Sequence, residues 1–131
     1  MRRLWILIWA VAQRLFRHHP APLATVKVEE LPDSLDAKSV YLVGEGGYLW
    51  FAAMSCPCGC GSVLHMNLLA ESRPRWKVTE HATGTVSLAP SVWRTRGCRS
   101  HFFLRQGVID WCRDGGWRAA RRSLGRRGSA R

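Results

Sequence analysis

The chain has 131 residues, of which 47% are hydrophobic and seven are tryptophan, so it is long and apolar enough to bury the core of one domain. The net charge of +11 arises almost entirely at the two ends: residues 1–19 carry +4, residues 113–131 carry +6, and residues 20–112 hold nine basic and eight acidic side chains. A nearly neutral central region argues against specific recognition of nucleic acid, although the arginine-rich ends could attract polyanions without specificity.

Residues 1–22 form an N-terminal segment that is first apolar and then basic. After Met1-Arg2-Arg3 the chain is apolar from Leu4 to Ala12, a pattern that superficially resembles a secretion signal. Nine apolar residues are too few to span a bilayer. The other interpretations are a short helix that contacts a membrane surface through residues 1–17 or docks on a partner, and an appendage outside the fold.

From Thr25 the sequence alternates with the two-residue period of β-strands. Glycine-containing turns separate several of these runs, and no long helix is predicted after residue 20. The pattern indicates a mainly β fold: a small antiparallel β domain over residues 23–112, followed by an arginine-rich tail over residues 113–131 that we expect to be disordered or weakly helical. The predicted strands are residues 25–29, 39–43, 48–54, 63–69, 76–79, 85–88, 102–105 and 108–111.

Four of the five cysteines fall in two short segments. Cys56, Cys58 and Cys60 alternate with a proline and glycines that supply the bends needed to gather three sulfurs, and Cys98 is the natural fourth ligand. Soft divalent metals, zinc above all, prefer such a ligand set. An odd number of cysteines at this spacing indicates metal binding in a reducing compartment rather than disulfides, so we expect a cytoplasmic protein with a zinc-knuckle-like turn and one structural zinc.

Other residues compete for a place in this site. His101 lies three residues after Cys98 and is an alternative fourth ligand, whereas His65 and Cys112 are weaker candidates. The remaining interpretation is a set of buried thiols that pack as small hydrophobic groups without a metal.

A serine and a histidine are expected to meet across a hairpin. If residues 94–97 form the loop and Arg96 is its centre, Ser91 lies directly opposite His101, and their side chains can form a hydrogen bond. Such a pair is the minimal activated nucleophile, with the histidine as general base. Ser100 is less suited than Ser91, although the sequence does not decide between them, and His101 could instead bind the metal. A third residue that orients the histidine is not identifiable; the candidates are Glu45, Glu80 and Asp110.

Several segments together carry a resemblance to a known family. In chain order they are Val28-Glu29-Glu30-Leu31-Pro32-Asp33-Ser34-Leu35, Cys56-Pro57-Cys58-Gly59-Cys60-Gly61, Trp76-Lys77-Val78, Leu88-Ala89-Pro90-Ser91, Cys98-Arg99-Ser100-His101-Phe102 and Val108-Ile109-Asp110-Trp111. Over roughly residues 26–112 this order resembles short bacterial proteins of unknown function that are often encoded beside ubiquitin-like proteins and their E1- and E2-like enzymes. The chain departs from that pattern after Ser91, where many relatives read Ser-Ile-Gly-Asn-Trp and this chain reads Ser91-Val92-Trp93-Arg94.

The resemblance implies a zinc-containing serine-type peptidase, deubiquitinase-like, that processes or deconjugates a bacterial ubiquitin-like protein. It implies Ser91 as the nucleophile, His101 as the base, cysteines that hold the metal, the ubiquitin-like protein and its E1- and E2-like enzymes as partners, and a role in antiphage defence. An extended substrate tail could bind by adding a strand to a sheet edge. The main alternative is a noncatalytic zinc-binding adaptor in which His101 is a ligand; a catalytic zinc with an open position is a third.

Overall fold

The computed structural model describes residues 21–113, so the predicted N-terminal helix and the arginine-rich tail lie outside the described residues. This region contains eight strands and no helix, which confirms the mainly β prediction. It therefore has no helix that is long and apolar enough to cross a membrane. The strands are β1 (Ala24–Val28), β2 (Ser39–Glu45), β3 (Tyr48–Ser55), β4 (Val63–Asn67), β5 (Lys77–Glu80), β6 (Val86–Trp93), β7 (His101–Arg105) and β8 (Val108–Trp111).

The strands form two four-stranded sheets in chain order, which we call sheet 1 (β1-β2-β3-β4) and sheet 2 (β5-β6-β7-β8). All neighbouring pairs are antiparallel except β1 and β2, which run parallel. The connection over residues 29–38 therefore returns the chain to the same end of the sheet, as parallel pairing requires. Strand β6 is longer than predicted because it continues through Pro90, a residue that normally argues against a strand interior.

One cluster of buried side chains joins the two sheets. Sheet 1 contributes alternate residues of β2, β3 and β4, and sheet 2 contributes alternate residues of β6 and β7, as expected for strands with one face in the core. Cys56 belongs to this cluster, so the cysteine turn begins at the edge of the core. The cluster comprises Val40, Leu42, Ala52, Met54, Cys56, Leu64, Met66, Val86, Leu88, Val92, Phe102 and Leu104.

The two ends of sheet 2 meet different parts of the chain. At the β7–β8 turn, the backbone N–H of Leu23 donates to the carbonyl of Gly107 at 2.8 Å. At the other end of β7, the N–H of Cys112 donates to the carbonyl of His101 at 2.9 Å. The described region therefore begins at the turn end of β7 and finishes at its His101 end.

We expect Phe102→Ala to lower the free energy of unfolding by about 3–5 kcal/mol, because Phe102 is fully buried and its ring meets Trp111 edge-on at 5.6 Å. Phe103→Ala is the matched control, since Phe103 is the next residue of β7 but faces away from the core and is only partly buried. Its substitution should cost about 1 kcal/mol. Equal losses for the two variants in urea denaturation would contradict this core assignment.

Candidate functional site

The cysteine turn between β3 and β4 is closed by backbone hydrogen bonds. The N–H of Cys56 donates to the carbonyl of Ser62 at 2.8 Å, and the N–H of Gly59 donates to the carbonyl of Cys56 at 3.1 Å. Gly59 and Gly61 have φ angles of +85° and +83°, which glycine adopts without the steric cost that a side chain adds. These two glycines allow the chain to bend twice within six residues and to direct several sulfurs to one side.

The thiols of Cys56, Cys58, Cys60 and Cys98 form one cluster, in which all four sulfurs lie within 4.8 Å of one another. The Sγ atom of Cys56 lies 3.3 Å from that of Cys58 and 3.6 Å from that of Cys98. Four thiolates about 2.3 Å from a tetrahedral zinc would be about 3.8 Å apart, so the donor set fits such an ion. The four cysteines therefore could hold a metal ion.

Polar side chains, among them Ser100 and Arg94, contact the sulfurs of this cluster. The hydroxyl of Ser100, which is fully buried, lies 3.1 Å from Sγ of Cys98 and 3.6 Å from Sγ of Cys56. Arg94 donates from Nη1 to Sγ of Cys98 at 3.2 Å and to Sγ of Cys60 at 3.4 Å. A hydroxyl and a guanidinium beside thiolates offset the negative charge that a four-thiolate site carries.

The thiol pKa values differ within the cluster. Burial and, to a smaller extent, the hydrogen bond with Cys56 raise the pKa of Cys58 to about 12. Burial also acts on Cys98, but hydrogen bonds from the Ser100 side chain and backbone outweigh it and lower the pKa of Cys98 to about 6. The two thiols that Arg94 contacts, Cys98 and Cys60, are those whose pKa is lowered.

Ser91 and His101 meet on the outer face of sheet 2, where Ser91 Oγ lies 2.8 Å from His101 Nε2. Both residues are partly buried, so the pair is reachable from solvent. The predicted register was wrong, because Trp93 rather than Ser91 is the cross-strand partner of His101. Ser91 lies two residues before Trp93 on the same face of β6, and its hydroxyl reaches the imidazole diagonally across the two strands.

The error in register arises in the β6–β7 connection, and a bulge in β6 lies beyond it. The β6–β7 connection is longer than expected and is centred on Gly97, whose φ angle is +69°, rather than on Arg96. A β-bulge between Leu88 and Val92 then puts two extra residues into β6 relative to β7. Bulges redirect side chains next to functional sites, and this one includes Ser91.

Two tryptophans support the Ser91–His101 pair. The indole of Trp93 stacks on the imidazole of His101, with ring centroids 4.8 Å apart and an interplanar angle of 13°. The Nε1–H of Trp76 donates to the backbone carbonyl of Ser91 at 3.4 Å. The sequence alone assigns neither tryptophan to this site, because the spacing of Trp93 relative to His101 becomes informative only when the register is known.

The other serine and histidine candidates lie elsewhere. Ser100 faces the sulfurs and is fully buried, so its hydroxyl is not exposed to solvent. His65 packs against the ring of Phe51 in sheet 1, and neither His65 nor Cys112 belongs to the thiol cluster of the described region. Of the carboxylates considered for orienting the histidine, Glu80 pairs with Lys27 and Asp110 pairs with Arg105.

A second serine–histidine contact escaped the sequence analysis. His81 Nε2 lies 2.7 Å from Ser87 Oγ, also on β6, and this hydroxyl accepts the backbone N–H of Gln106 at 2.8 Å. Ser87 thus bridges the β5–β6 hairpin and the β7–β8 turn, which is a structural arrangement. The Ser87–His81 contact can therefore serve as an internal control for the Ser91–His101 contact.

The comparisons with known proteins agree with these features. A family model described as "Bacterial ubiquitination-like system serine protease (BubE)" matches residues 27–112, a range that contains the four clustered cysteines, Ser91 and His101. No curated protein and no solved structure matches the chain. The family match covers more than half of the sequence and confirms the resemblance described above. The chain belongs to the bacterial ubiquitination-like system serine protease (BubE) family.

Proposed function

We propose that this protein is a serine-type peptidase that cleaves at the C-terminus of a ubiquitin-like protein, in a precursor or a conjugate. The observation that carries the proposal is the 2.8 Å contact between Ser91 Oγ and His101 Nε2 in a chain whose family is described as a serine protease. The same family description supports a substrate from a ubiquitination-like system.

In the proposed mechanism, Ser91 Oγ attacks the carbonyl carbon of the scissile bond while His101 Nε2 takes the hydroxyl proton. The resulting imidazolium gives this proton to the leaving amine, so the acyl group stays on Ser91. A water molecule, deprotonated by His101, then hydrolyses the ester and restores the serine. Backbone N–H groups would stabilise the oxyanion of each tetrahedral intermediate. The stacked indole of Trp93 limits rotation of the imidazole.

We assign the thiol cluster a structural role, with zinc as the ion that Cys56, Cys58, Cys60 and Cys98 would hold. Four protein ligands leave no open position, so such an ion supplies folding free energy rather than Lewis-acid chemistry. It would tie the β3–β4 turn to the β6–β7 connection, and His101 follows Cys98 by three residues.

The contacts of His101 favour the peptidase over the two alternatives. An adaptor in which His101 binds the metal requires its imidazole in the thiol cluster, whereas the cluster consists of four cysteines and His101 Nε2 contacts Ser91. A catalytic zinc needs an open position, which four thiolate ligands do not provide. The alternative that the activity measurements test is a noncatalytic adaptor with an all-cysteine metal site.

The cellular setting is part of the proposal. Free cysteines throughout the described region are compatible with a reducing cytoplasm, and E1- and E2-like enzymes are the proposed partners beside the ubiquitin-like protein. Membrane contact through residues 1–17, the domain boundaries at residues 22 and 113 and a role in antiphage defence stay predictions.

Ser91→Ala and His101→Ala should each lower kcat/KM by at least about 1,000-fold, because each removes one member of the nucleophile–base pair. The measurement is cleavage of a fluorogenic ester and of a ubiquitin-like fusion protein by the full chain. Ser87→Ala and His81→Ala are the matched controls, since they remove the second serine–histidine contact. Those controls should keep most of the activity. Full activity in Ser91→Ala would leave the adaptor as the better proposal.

Metal content provides a separate prediction. The purified protein should contain one zinc per chain, and Cys58→Ser or Cys98→Ser should lose it and unfold, because the metal's binding free energy exceeds the stability of a small domain. Cys112→Ser should retain the metal, since Cys112 lies outside the cluster. In cobalt-substituted protein, His101→Ala should leave the four-thiolate absorption spectrum unchanged. A spectrum that changes in this variant would make His101 a ligand.

A further inference from the structure

Strand β6 extends beyond its neighbour β5 at the end that carries the Ser91–His101 pair. β5 pairs with β6 over residues 86–89, where Lys77 is the partner of Ala89, and within residues 21–113 no strand pairs with the rest of that edge. The chain before β5 turns away, because the N–H of Trp76 donates to the carbonyl of Asn67 in the direction of sheet 1. In the described region, residues 91–93 are therefore left without a neighbouring strand on this side, and only the Ser91 carbonyl is bound there, by the Trp76 indole.

The backbone of Trp93 directs its hydrogen-bonding groups to this edge. The N–H of Arg94 donates to the carbonyl of Ser100 at 2.8 Å, so Arg94 points its backbone groups toward the β7 side. Backbone groups alternate along an antiparallel strand, so those of Trp93 and Ser91 point the other way. The carbonyl of Ser91 agrees with this direction, because it accepts from Trp76 on that side.

The side chain of Trp93 lies next to the same edge and is unusually exposed for an indole. Its exposed fraction is 58%, although one ring face covers His101. Exposed tryptophans beside a binding edge are typical anchors, because they bury a large apolar area with little loss of side-chain entropy.

Basic side chains are concentrated in two segments, the one that follows Trp93 and the one that leads into β5. Residues 94–99 contain three arginines and no acidic residue, and residues 73–77 contain Arg73, Arg75 and Lys77 and again no acidic residue. Arg94 contacts the thiols, whereas Arg96 and Arg99 are exposed. The near-neutral total of the central region thus hides an excess of positive charge in the connection that directly follows Trp93, which favours an acidic partner.

We propose that the β6 edge at residues 91–93 docks the substrate, and that the substrate presents an extended segment with acidic residues beside an apolar position. The segment would pair with the N–H and carbonyl of Trp93 as an added strand, its apolar side chain would pack on the Trp93 indole, and its carboxylates would face Arg96 and Arg99. This inference rests on the proposed peptidase function, because it assigns the substrate class of that site.

The test measures binding separately from cleavage, in full-length Ser91→Ala protein. Two fluorescein-labelled peptides share an apolar centre and carry either glutamate or lysine at the flanks, and fluorescence anisotropy gives their dissociation constants at low salt. We expect the acidic peptide to bind at least about tenfold more tightly. Trp93→Ala should weaken its binding at least about tenfold, whereas Tyr48→Ala, which removes an aromatic side chain of 60% exposure on sheet 1, should not.

Charge and strand pairing have their own readouts. Arg96→Glu should weaken binding of the acidic peptide and strengthen binding of the basic peptide. Lys38→Glu, which changes an exposed residue before β2, should alter neither dissociation constant. N-methylation of the acidic peptide at one residue at a time should weaken binding at alternate positions, because only every second N–H of a strand faces the added edge.

Each opposite result overturns the docking proposal: no binding, equal binding of the two peptides, equal effects of Trp93→Ala and Tyr48→Ala, or uniform effects of N-methylation. Its failure is distinguishable from failure of the peptidase proposal. Hydrolysis of a small ester by the wild type, abolished in Ser91→Ala, requires the serine and histidine but not the β6 edge.

Discussion

The contact between the β3–β4 turn and the β6–β7 connection is the constraint on which the candidate site depends. It brings Sγ of Cys56 and Sγ of Cys98 to 3.6 Å of each other, although one follows β3 of sheet 1 and the other lies between β6 and β7 of sheet 2. Ser100 and Arg94, which flank Cys98, both contact the sulfurs, so the connection is held at three points. His101 follows immediately, and its position on β7 is thereby coupled to a turn in sheet 1.

Sheet 2 contributes the second half of the site through an irregularity. A regular β6–β7 hairpin would set each side chain opposite a single partner. Here β6 has a bulge between Leu88 and Val92, and two of its residues contact the same imidazole. Ser91 contacts the ring edge at Nε2 and Trp93 covers the ring face. The same strand carries Ser87, but its hydroxyl contacts His81 and also accepts the backbone N–H of Gln106, so it joins two turns. A serine–histidine contact alone therefore does not identify a candidate nucleophile; the side chains around the pair distinguish the two.

Much of this arrangement is predictable from the sequence, and the reasons are local. Two-residue alternation and glycine turns identify all eight strands within a few residues, and alternating cysteines identify the thiol cluster because their spacing alone restricts where the sulfurs can go. The parallel pairing of β1 and β2 is not predictable in this way, since the order of strands in space depends on tertiary contacts. The register of β6 and β7 also escaped, because it depends on the loop around Gly97 and on a bulge at Pro90, and neither has a specific sequence signal. Arg94 and Trp93 acquire a function only once that register is known.

The path of the chain through sheet 2 sets which end of the molecule a neighbour can occupy without obstructing the site. Leu23 is fixed to Gly107 at the turn end of β7, whereas Cys112 is fixed to His101 at the opposite end. Five strand residues separate these ends, a distance of about 17 Å at 3.4 Å per residue. Leu23 therefore lies at the end of sheet 2 that is far from Ser91. The described region thus finishes beside the histidine, where a protein that approaches Ser91 would also meet Cys112.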